Sequence, residues 1–164
     1  MFCDLVGSTE LSMRLDPEEL RGHVRAYRNH CAEAIRRFGG SVAQFQGDGI
    51  LACFGLPASR EGDADRAVRA GLDILARLPA LNSTTSRPIR IRIGIHTGTV
   101  VVSEGELFGA APNIAARIQA AAAPNQLVIS EQTRHALRTP FEYESAGATD
   151  ATASSIYLVH RALW

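Results

Sequence analysis

The sequence contains no lysine: every one of its 17 basic residues is an arginine. These are balanced by 17 acidic residues, so the formal net charge is zero. A broad electrostatic attraction to nucleic acid or to a membrane surface is therefore not expected. No stretch approaches the ~20 consecutive apolar residues of a membrane helix, and no signal peptide is visible, so we expect no membrane segment and a cytoplasmic location.

Cysteine and aromatic residues are also scarce. Cys3, Cys31 and Cys53 are odd in number, lie in apolar surroundings and form no C-x-x-C pair, which favours reduced core thiols over metal ligands. With 164 residues, of which 46% are apolar and only 6% aromatic, the chain suits a single domain spanning 1–164. Only three residues precede Asp4, fewer than a central strand needs, so we expect the N-terminus to be truncated.

Two short stretches each place one carboxylate beside a turn. In Phe2–Thr9 an apolar strand that carries Asp4 is followed by a Gly-Ser-Thr turn at which a helix begins. The N-terminus of a helix in this position can bind phosphate. In Phe45–Ala52, Asp48 lies at the tip between two strand-like runs. If that tip lies beside the first strand, the two carboxylates can share a pair of metal ions.

Each of these carboxylates also has a simpler interpretation. Asp-Gly between two apolar runs is an ordinary hairpin signal, so Asp48 can be purely structural. Asp4 lies within an apolar strand, where an unpaired carboxylate is costly, and it therefore needs a metal ion or a capping partner.

A third stretch, Phe108–Ile118, opens a helix with Pro112 in its first turn. Asn113 and Arg117 are four residues apart and therefore project from one helix face. An amide and a guanidinium there can orient a ribose and hold a phosphate. The alternative is a capping Asn and a surface Arg.

The remaining pattern predicts an α+β sheet layered with helices, with elements in the order β-α-β-β-α-β-β-α-β-α-β-β. A long helix is predicted to start at Asp16-Pro17 and to end at Gly39-Gly40. Strands are predicted at 89–96 and 99–102, with His96 as a hydrogen-bonded structural residue, and the last two strands at 141–144 and 156–159.

Together, the three stretches resemble the class III nucleotide cyclase catalytic domain, the adenylate and guanylate cyclase family, in its bacterial form. The resemblance rests on F-C-D-L-V-G-S-T, G-D-G and P-N-I-A-A-R in this order, and it runs from Phe2 to about Tyr143. It implies a ferredoxin-like antiparallel sheet, and it implies a homodimer that converts ATP or GTP to a cyclic nucleotide and pyrophosphate in intracellular signal transduction. Members of the family are often fused to regulatory domains.

The resemblance also assigns roles to residues. Asp4 and Asp48, helped by the Leu5 carbonyl, are expected to bind two Mg²⁺ or Mn²⁺ ions, while Asn113 fixes the ribose and Arg117 neutralises charge on the α-phosphate. In the head-to-tail dimer, the metal residues come from one chain and the Asn/Arg helix from the other. The backbone amides expected to bind phosphate are those of Val6, Gly7, Ser8 and Thr9.

Base recognition is implied at Gln44 and Glu106, where the family usually has Lys with Asp for adenine, or Glu with Cys for guanine. An ionised Glu106 only accepts hydrogen bonds, which suits the adenine amino group, and the Gln44 amide can donate to a ring nitrogen or accept. Gln44 and Glu106 together favour ATP as the substrate, with GTP as the alternative.

The family's phosphate-binding Lys has no counterpart here. The corresponding tract, 145–155, offers mainly hydroxyls and no cation. This predicts slow catalysis, or alternatively a regulatory module that binds nucleotide and dimerises without turning it over. An enzyme of the polymerase-palm or diguanylate-cyclase type shares the two carboxylates, but Asn113 and Arg117 and the absence of a Gly-Gly-Asp/Glu-Glu-Phe hairpin argue against it.

Overall fold

The computed structural model describes residues 1–149 and 154–163 of the chain. The strands are Phe2–Leu5 (β1), Ser41–Gln46 (β2), Gly49–Cys53 (β3), Ile91–Ile95 (β4), Val101–Ser103 (β5), Glu106–Phe108 (β6), Gln126–Ser130 (β7), Phe141–Thr149 (β8) and Ser154–Ala162 (β9). The helices are Ser8–Arg14 (α1), Pro17–Arg37 (α2), Asp63–Ala76 (α3), Leu78–Asn82 (α4), Ala111–Ala121 (α5) and Glu131–Ala136 (α6).

Seven strands form one sheet in the order β2-β3-β1-β4-β7-β9-β8. Neighbouring strands are antiparallel except β4 and β7, which run parallel. The succession β1-α2-β2-β3-α3-β4, with β1 and β3 in the middle of its four strands, is the β-α-β-β-α-β arrangement of ferredoxin-like folds. The predicted α+β fold with an antiparallel sheet layered with helices is confirmed.

Helices cover both faces of this sheet. Under α2 and α3 lies the larger core cluster, in which Cys3 and Leu5 of β1 pack with Tyr27, Ile35 and Val68. Beneath α5 lies a smaller cluster of buried residues, composed of Ile118, Ala122, Val128 and Ile156. Because successive strand residues point to opposite faces, the residues of β1 between the core-facing ones are directed towards the α5 side.

The long helix α2 has the predicted ends. The side chain of Asp16 accepts hydrogen bonds from the backbone amides of Glu18 and Glu19, both at 2.9 Å, and Pro17 occupies the first turn. The helix ends at Arg37, and Gly39 follows with a φ of 78°, a conformation that glycine adopts without strain.

The region after β4 differs from the prediction. Only the second half of the strand predicted at 99–102 is found, in β5, and β5 pairs with β6 in a separate two-stranded sheet, whereas β4 pairs with β1 and β7. Glu104 and Gly105 both have positive φ angles, 52° and 83°, which form the tight turn of a two-residue hairpin. No strand was predicted at β6, because a three-residue strand beside a Glu-Gly turn carries little periodicity.

The C-terminal strands are longer than predicted, and β8 and β9 include the residues of the tract 145–155 that lie in the described part of the chain. Positions 150–153 of that tract lie outside it. His96 has the predicted structural role, since its Nδ1 lies 3.0 Å from the Ser130 hydroxyl oxygen. Within the described ranges, no helix combines the length and the apolar character needed to cross a bilayer.

Candidate active site

Asp4 lies on the α5 side of β1, directly opposite Arg92 of β4 in the antiparallel register. The Arg92 guanidinium donates a hydrogen bond from Nη2 to Asp4 Oδ2 at 2.8 Å. This ion pair is only partly shielded, because the Asp4 side chain is 20% exposed and that of Arg92 is 30% exposed. Asp4 therefore has the partner that its position in an apolar strand requires.

A second donor reaches the same carboxylate from α5. Gln119, which is buried, donates from Nε2 to Asp4 Oδ2 at 3.3 Å. The contact depends on Gly94 of β4, where a Cβ atom would lie 2.3 Å from the Gln119 backbone nitrogen and 2.5 Å from the Ala115 carbonyl oxygen. Because glycine has no Cβ, α5 can approach the sheet closely enough for Gln119 to contact Asp4.

Asp48 lies in the turn between β2 and β3, after Gly47, which has a φ of 60°. The pairing of Cys3 with Ile50 brings this turn beside Asp4. The side-chain atom Asp48 Oδ2 is buried and has no hydrogen-bond partner among the described residues.

The turn that carries Asp48 is held by a side chain of α2. The Arg28 guanidinium donates a hydrogen bond to the Gly47 carbonyl oxygen, and its central carbon lies 4.5 Å from the centre of the Phe45 ring. This cation–π contact and the hydrogen bond attach the turn to the helix.

Without a bound metal cation, the negative charges of Asp4 and Asp48 repel each other. Burial raises the pKa of Asp4, the hydrogen bond from Arg92 opposes this, and the negative charge of Asp48 raises the pKa further. Two close carboxylates and an unpaired buried acceptor oxygen form a donor set that suits Mg²⁺ or Mn²⁺. Within residues 1–149 and 154–163, no group of three or more His, Cys, Asp and Glu side chains is arranged to hold a metal ion, so any further protein ligands would be oxygens of another kind, such as backbone carbonyl oxygens.

The turn after β1 leads into α1, and the four amides predicted to bind phosphate differ in availability. The Val6 amide donates to the Arg90 carbonyl oxygen at 2.9 Å and is therefore already engaged. Gly7 has a φ of 75° and precedes α1 without a side-chain cap. Since the first amides of a helix have no acceptor within it, those of Ser8 and Thr9 are open to an outside acceptor.

Asn113 and Arg117 are exposed on α5, and neither forms a hydrogen bond or ion pair with Asp4 or Asp48 in the part of the chain that the structure describes. The side of α5 that faces the Asp4 carboxylate is occupied by Gln119. A single chain thus brings the two carboxylates together but does not bring the Asn/Arg pair to them.

Gln44 and Glu106 lie on neighbouring strands, since β6 contacts β2. Both side chains are exposed, and the Gln44 side-chain oxygen accepts a hydrogen bond from Gln46 Nε2 at 3.3 Å. The β5–β6 hairpin thus lies beside the edge strand that carries Gln44.

A family model of the adenylate and guanylate cyclase catalytic domain matches residues 1–160. The chain belongs to this family. The cyclase domain is 30% identical over 153 residues to an adenylate cyclase of Streptomyces coelicolor, covering 93% of this chain and 35% of that protein. It is 34% identical over 106 residues to adenylate cyclase 1 of Rhizobium meliloti, covering 62% of this chain and 16% of that protein. The chain therefore spans about a third or less of these curated relatives.

Solved structures agree with this assignment. The guanylyl cyclase Cya2 is 30% identical and superposes with a TM-score of 0.84, covering 98% of this chain and 90% of that one. The adenylyl cyclase CyaB of P. aeruginosa is 25% identical with a TM-score of 0.85, covering 98% and 92%. The predicted family and its fold are confirmed, and both adenylyl and guanylyl cyclases are among the similar proteins.

Proposed function

We propose that this domain is a nucleotide cyclase that converts ATP to cyclic AMP and pyrophosphate at the interface of a homodimer, acting in the cytoplasm in intracellular signal transduction. The observation that supports it most directly is the pair of Asp4 and Asp48, in which a buried carboxylate oxygen of Asp48 has no hydrogen-bond partner among the described residues. A structural hairpin Asp would place its oxygens in water or pair them with backbone amides. An oxygen kept buried and unpaired instead suits a cation.

The residues present fit a site for two Mg²⁺ or Mn²⁺ ions. Asp4 and Asp48 would provide the carboxylates, and the Leu5 carbonyl would provide a backbone oxygen. When bound, such ions lower the pKa of the ribose 3′-hydroxyl and neutralise the triphosphate.

The chain's own groups would hold the nucleotide. The amides of Gly7, Ser8 and Thr9 are available to the phosphate oxygens, while that of Val6 first has to release the Arg90 carbonyl. Arg117 would neutralise the charge that develops on the α-phosphate, and Asn113 would fix the ribose.

The exposed position of Asn113 and Arg117 supports a site completed by a second copy of the chain. Because neither side chain contacts the carboxylates in the described part of one chain, a second copy would have to supply them. Exposed apolar side chains on the β5–β6 hairpin are available for such an association, since Val101 is 60% exposed and Phe108 is 50% exposed. A guanylyl cyclase domain of the same fold forms a dimer, described as non-canonical, and has also been solved as a monomer.

Gln44 and Glu106 support ATP as the substrate, with GTP as the alternative. Cyclase domains of this fold have been solved with GTP and, after conversion of specificity, with an ATP analogue, so the fold accommodates both bases. Base choice then depends on the hydrogen-bonding groups offered. An ionised Glu106 accepts from the adenine amino group but would face the O6 acceptor of guanine unfavourably.

A second candidate function is a regulatory module that binds nucleotide and dimerises without catalysis, either fused to or separate from other domains. It is favoured by the absence of lysine, because no Lys is available for the contact to the triphosphate that many family members make.

Product analysis decides between these functions. The purified protein is incubated with ATP or GTP and Mn²⁺, then Mg²⁺, and the products are separated by chromatography, with Asp48→Ala as the control. Cyclic AMP formed by the parent and lost in the variant is the expected result, and cyclic GMP alone would assign GTP. No cyclic product, together with a nucleotide-dependent rise in melting temperature, would favour the regulatory module.

A further inference from the structure

The two oxygens of Asp4 are in different environments. Oδ2 accepts hydrogen bonds from both Arg92 and Gln119, at 2.8 Å and 3.3 Å. Oδ1 accepts none from the groups that the structure describes. The carboxylate is thus held at one oxygen from two directions, by a strand and by a helix, and the other oxygen is left available.

The Arg92 side chain is held beside Asp4 by the sheet. Its position directly opposite Asp4 is fixed by the β1–β4 register, and its Nε atom is buried with no hydrogen-bond partner in the described ranges. Leaving a guanidinium N–H buried without a hydrogen-bond partner costs free energy. If Arg92 only supported the structure, we would expect more of its N–H groups to be hydrogen-bonded. The guanidinium is held here against Asp4, which in turn neighbours Asp48.

The charges of Asp4, Asp48 and Arg92 determine how strongly the site attracts a divalent cation. Asp4 and Asp48 together carry two negative charges, and the Arg92 guanidinium, which is paired with Asp4, carries one positive charge. A divalent cation that enters the site is attracted by the carboxylates and repelled by the fixed guanidinium. A nucleoside triphosphate brings several negative charges of its own, so the repulsion matters most when the nucleotide is absent.

We propose that Arg92 is a positioning residue with two effects on the metal site: with Gln119 it holds Oδ2 of Asp4 and leaves Oδ1 for the cation, and its charge keeps the affinity for a free divalent cation low. The cation then binds well only together with the triphosphate. The proposal rests on the metal site of the proposed function and goes beyond it, since it assigns the control of cation entry to a residue outside the predicted set.

The test is Mn²⁺ binding in the absence of nucleotide, measured by the electron paramagnetic resonance signal of free Mn²⁺. By Coulomb's law, removing one positive charge within a few ångströms of a divalent cation should tighten binding about tenfold in Arg92→Gln. Arg92→Lys keeps the charge and should stay within about threefold of the parent. Arg90→Gln removes an equal charge two residues away, at a side chain with no ion pair to Asp4, and should have little effect.

The sign of the effect separates this role from simple support. If Arg92 only maintained the shape of the site, Arg92→Gln would weaken Mn²⁺ binding, and weaker or unchanged binding overturns the proposal. If Arg92→Gln fails to fold, Arg92→Met, an unbranched and uncharged side chain with no unpaired donor, replaces it and should likewise tighten binding. Mn²⁺ binding to the parent that Asp48→Asn does not reduce would overturn both the proposal and the metal site, whereas cyclase activity is measured separately and can fail without affecting this result.

Discussion

Gly94 of β4 and Gln119 of α5 are so close that a Cβ atom at position 94 would lie 2.3 Å from the Gln119 backbone nitrogen. No real Cβ makes such a contact, and the obstacle is helix backbone, which cannot rotate away as a side chain can. The same approach allows Gln119 to donate to Asp4 at 3.3 Å. The absence of one side chain on the sheet thus links the packing of α5 to the geometry of the carboxylate.

Gly94→Ala should therefore destabilise the protein by about 1–3 kcal/mol, the usual cost of overpacking, because α5 has to move away from β4. Urea unfolding followed by circular dichroism measures this. The matched control is Gly22→Ala on α2, where an added Cβ meets nothing within 4 Å. That substitution should stabilise the protein by about 0.5–1 kcal/mol, since alanine favours a helix. Equal stabilities of Gly94→Ala and the parent would show that the close approach is not maintained in solution.

The sequence predicted the parts of the site that depend on local signals. Asp4 follows an apolar strand and precedes a glycine turn, and Asp48 lies in an Asp-Gly turn, so both could be recognised from their neighbours. Arg92 and Gln119 could not, because their contacts with Asp4 depend on the register of β1 against β4 and on the depth at which α5 packs. The Ile-Arg alternation of β4 did indicate that Arg92 lies on the half-exposed face.

The same distinction holds for the fold. Helix α2 was predicted at both ends because Asp16 caps it and Gly39 stops it locally. The pairing of β5 with β6 was not predicted, since a strand next to β4 in sequence is expected to pair with it. The positive φ angles of Glu104 and Gly105, which form the turn between β5 and β6, are visible only in the structure.

Asp48→Asn should stabilise the metal-free protein while removing its response to metal. The negative charge of Asp48 contributes to the raised pKa of Asp4, so neutralising it relieves a repulsion and should raise the free energy of unfolding by about 1 kcal/mol. Mn²⁺ should then raise the melting temperature of the parent but not that of the variant.

The control for this experiment is Glu10→Gln. Glu10 forms an exposed ion pair with Arg14 at 2.7 Å, and its loss should change the stability by no more than about 0.5 kcal/mol. A metal-free Asp48→Asn protein less stable than the parent would mean that the carboxylate is paired in solution.

Asp65 of α3 should support stability in a pH-dependent way. It is 6% exposed and accepts hydrogen bonds from the Thr139 amide and hydroxyl, at 2.8 Å and 2.6 Å, and from the Arg138 amide. Burial alone would raise the pKa of Asp65, but these hydrogen bonds outweigh it and lower the pKa. Asp65→Asn should cost about 2 kcal/mol at pH 7, because a side-chain amide cannot accept all of them.

The pH dependence of that cost follows from the direction of the shift. A carboxyl whose pKa is lower in the folded state stabilises the protein fully above the unfolded-state value, which is about 3.9 for Asp. The difference between parent and Asp65→Asn should thus stay constant from neutral pH down to about 5 and shrink as the pH falls below about 4. Glu61→Gln, which breaks only an exposed ion pair with Arg138, should show a small difference throughout. A cost that persists unchanged at pH 3 would contradict the assigned role.

The homodimer predicts complementation between two inactive variants. Asp4→Ala removes a metal carboxylate and Asn113→Ala removes the ribose contact, and each should abolish cyclic AMP formation while the fold survives. In a two-fold symmetric dimer, a mixed pair has one site in which both residues are missing and one in which both are present. Random exchange in an equal mixture makes half of the dimers mixed, so the activity should recover to about a quarter of the parent value.

A mixture of Asp4→Ala with Asp48→Ala is the matched control. Asp4 and Asp48 of one chain contribute to the same site, so each site of a mixed dimer still lacks one of the two carboxylates. It should stay inactive at every mixing ratio. Recovery in the first mixture, with none in the second, requires that the exposed face of α5 that carries Asn113 acts on the carboxylates of another chain. If neither mixture recovers although the two variants exchange chains and form mixed dimers, the two chains do not share the site as proposed.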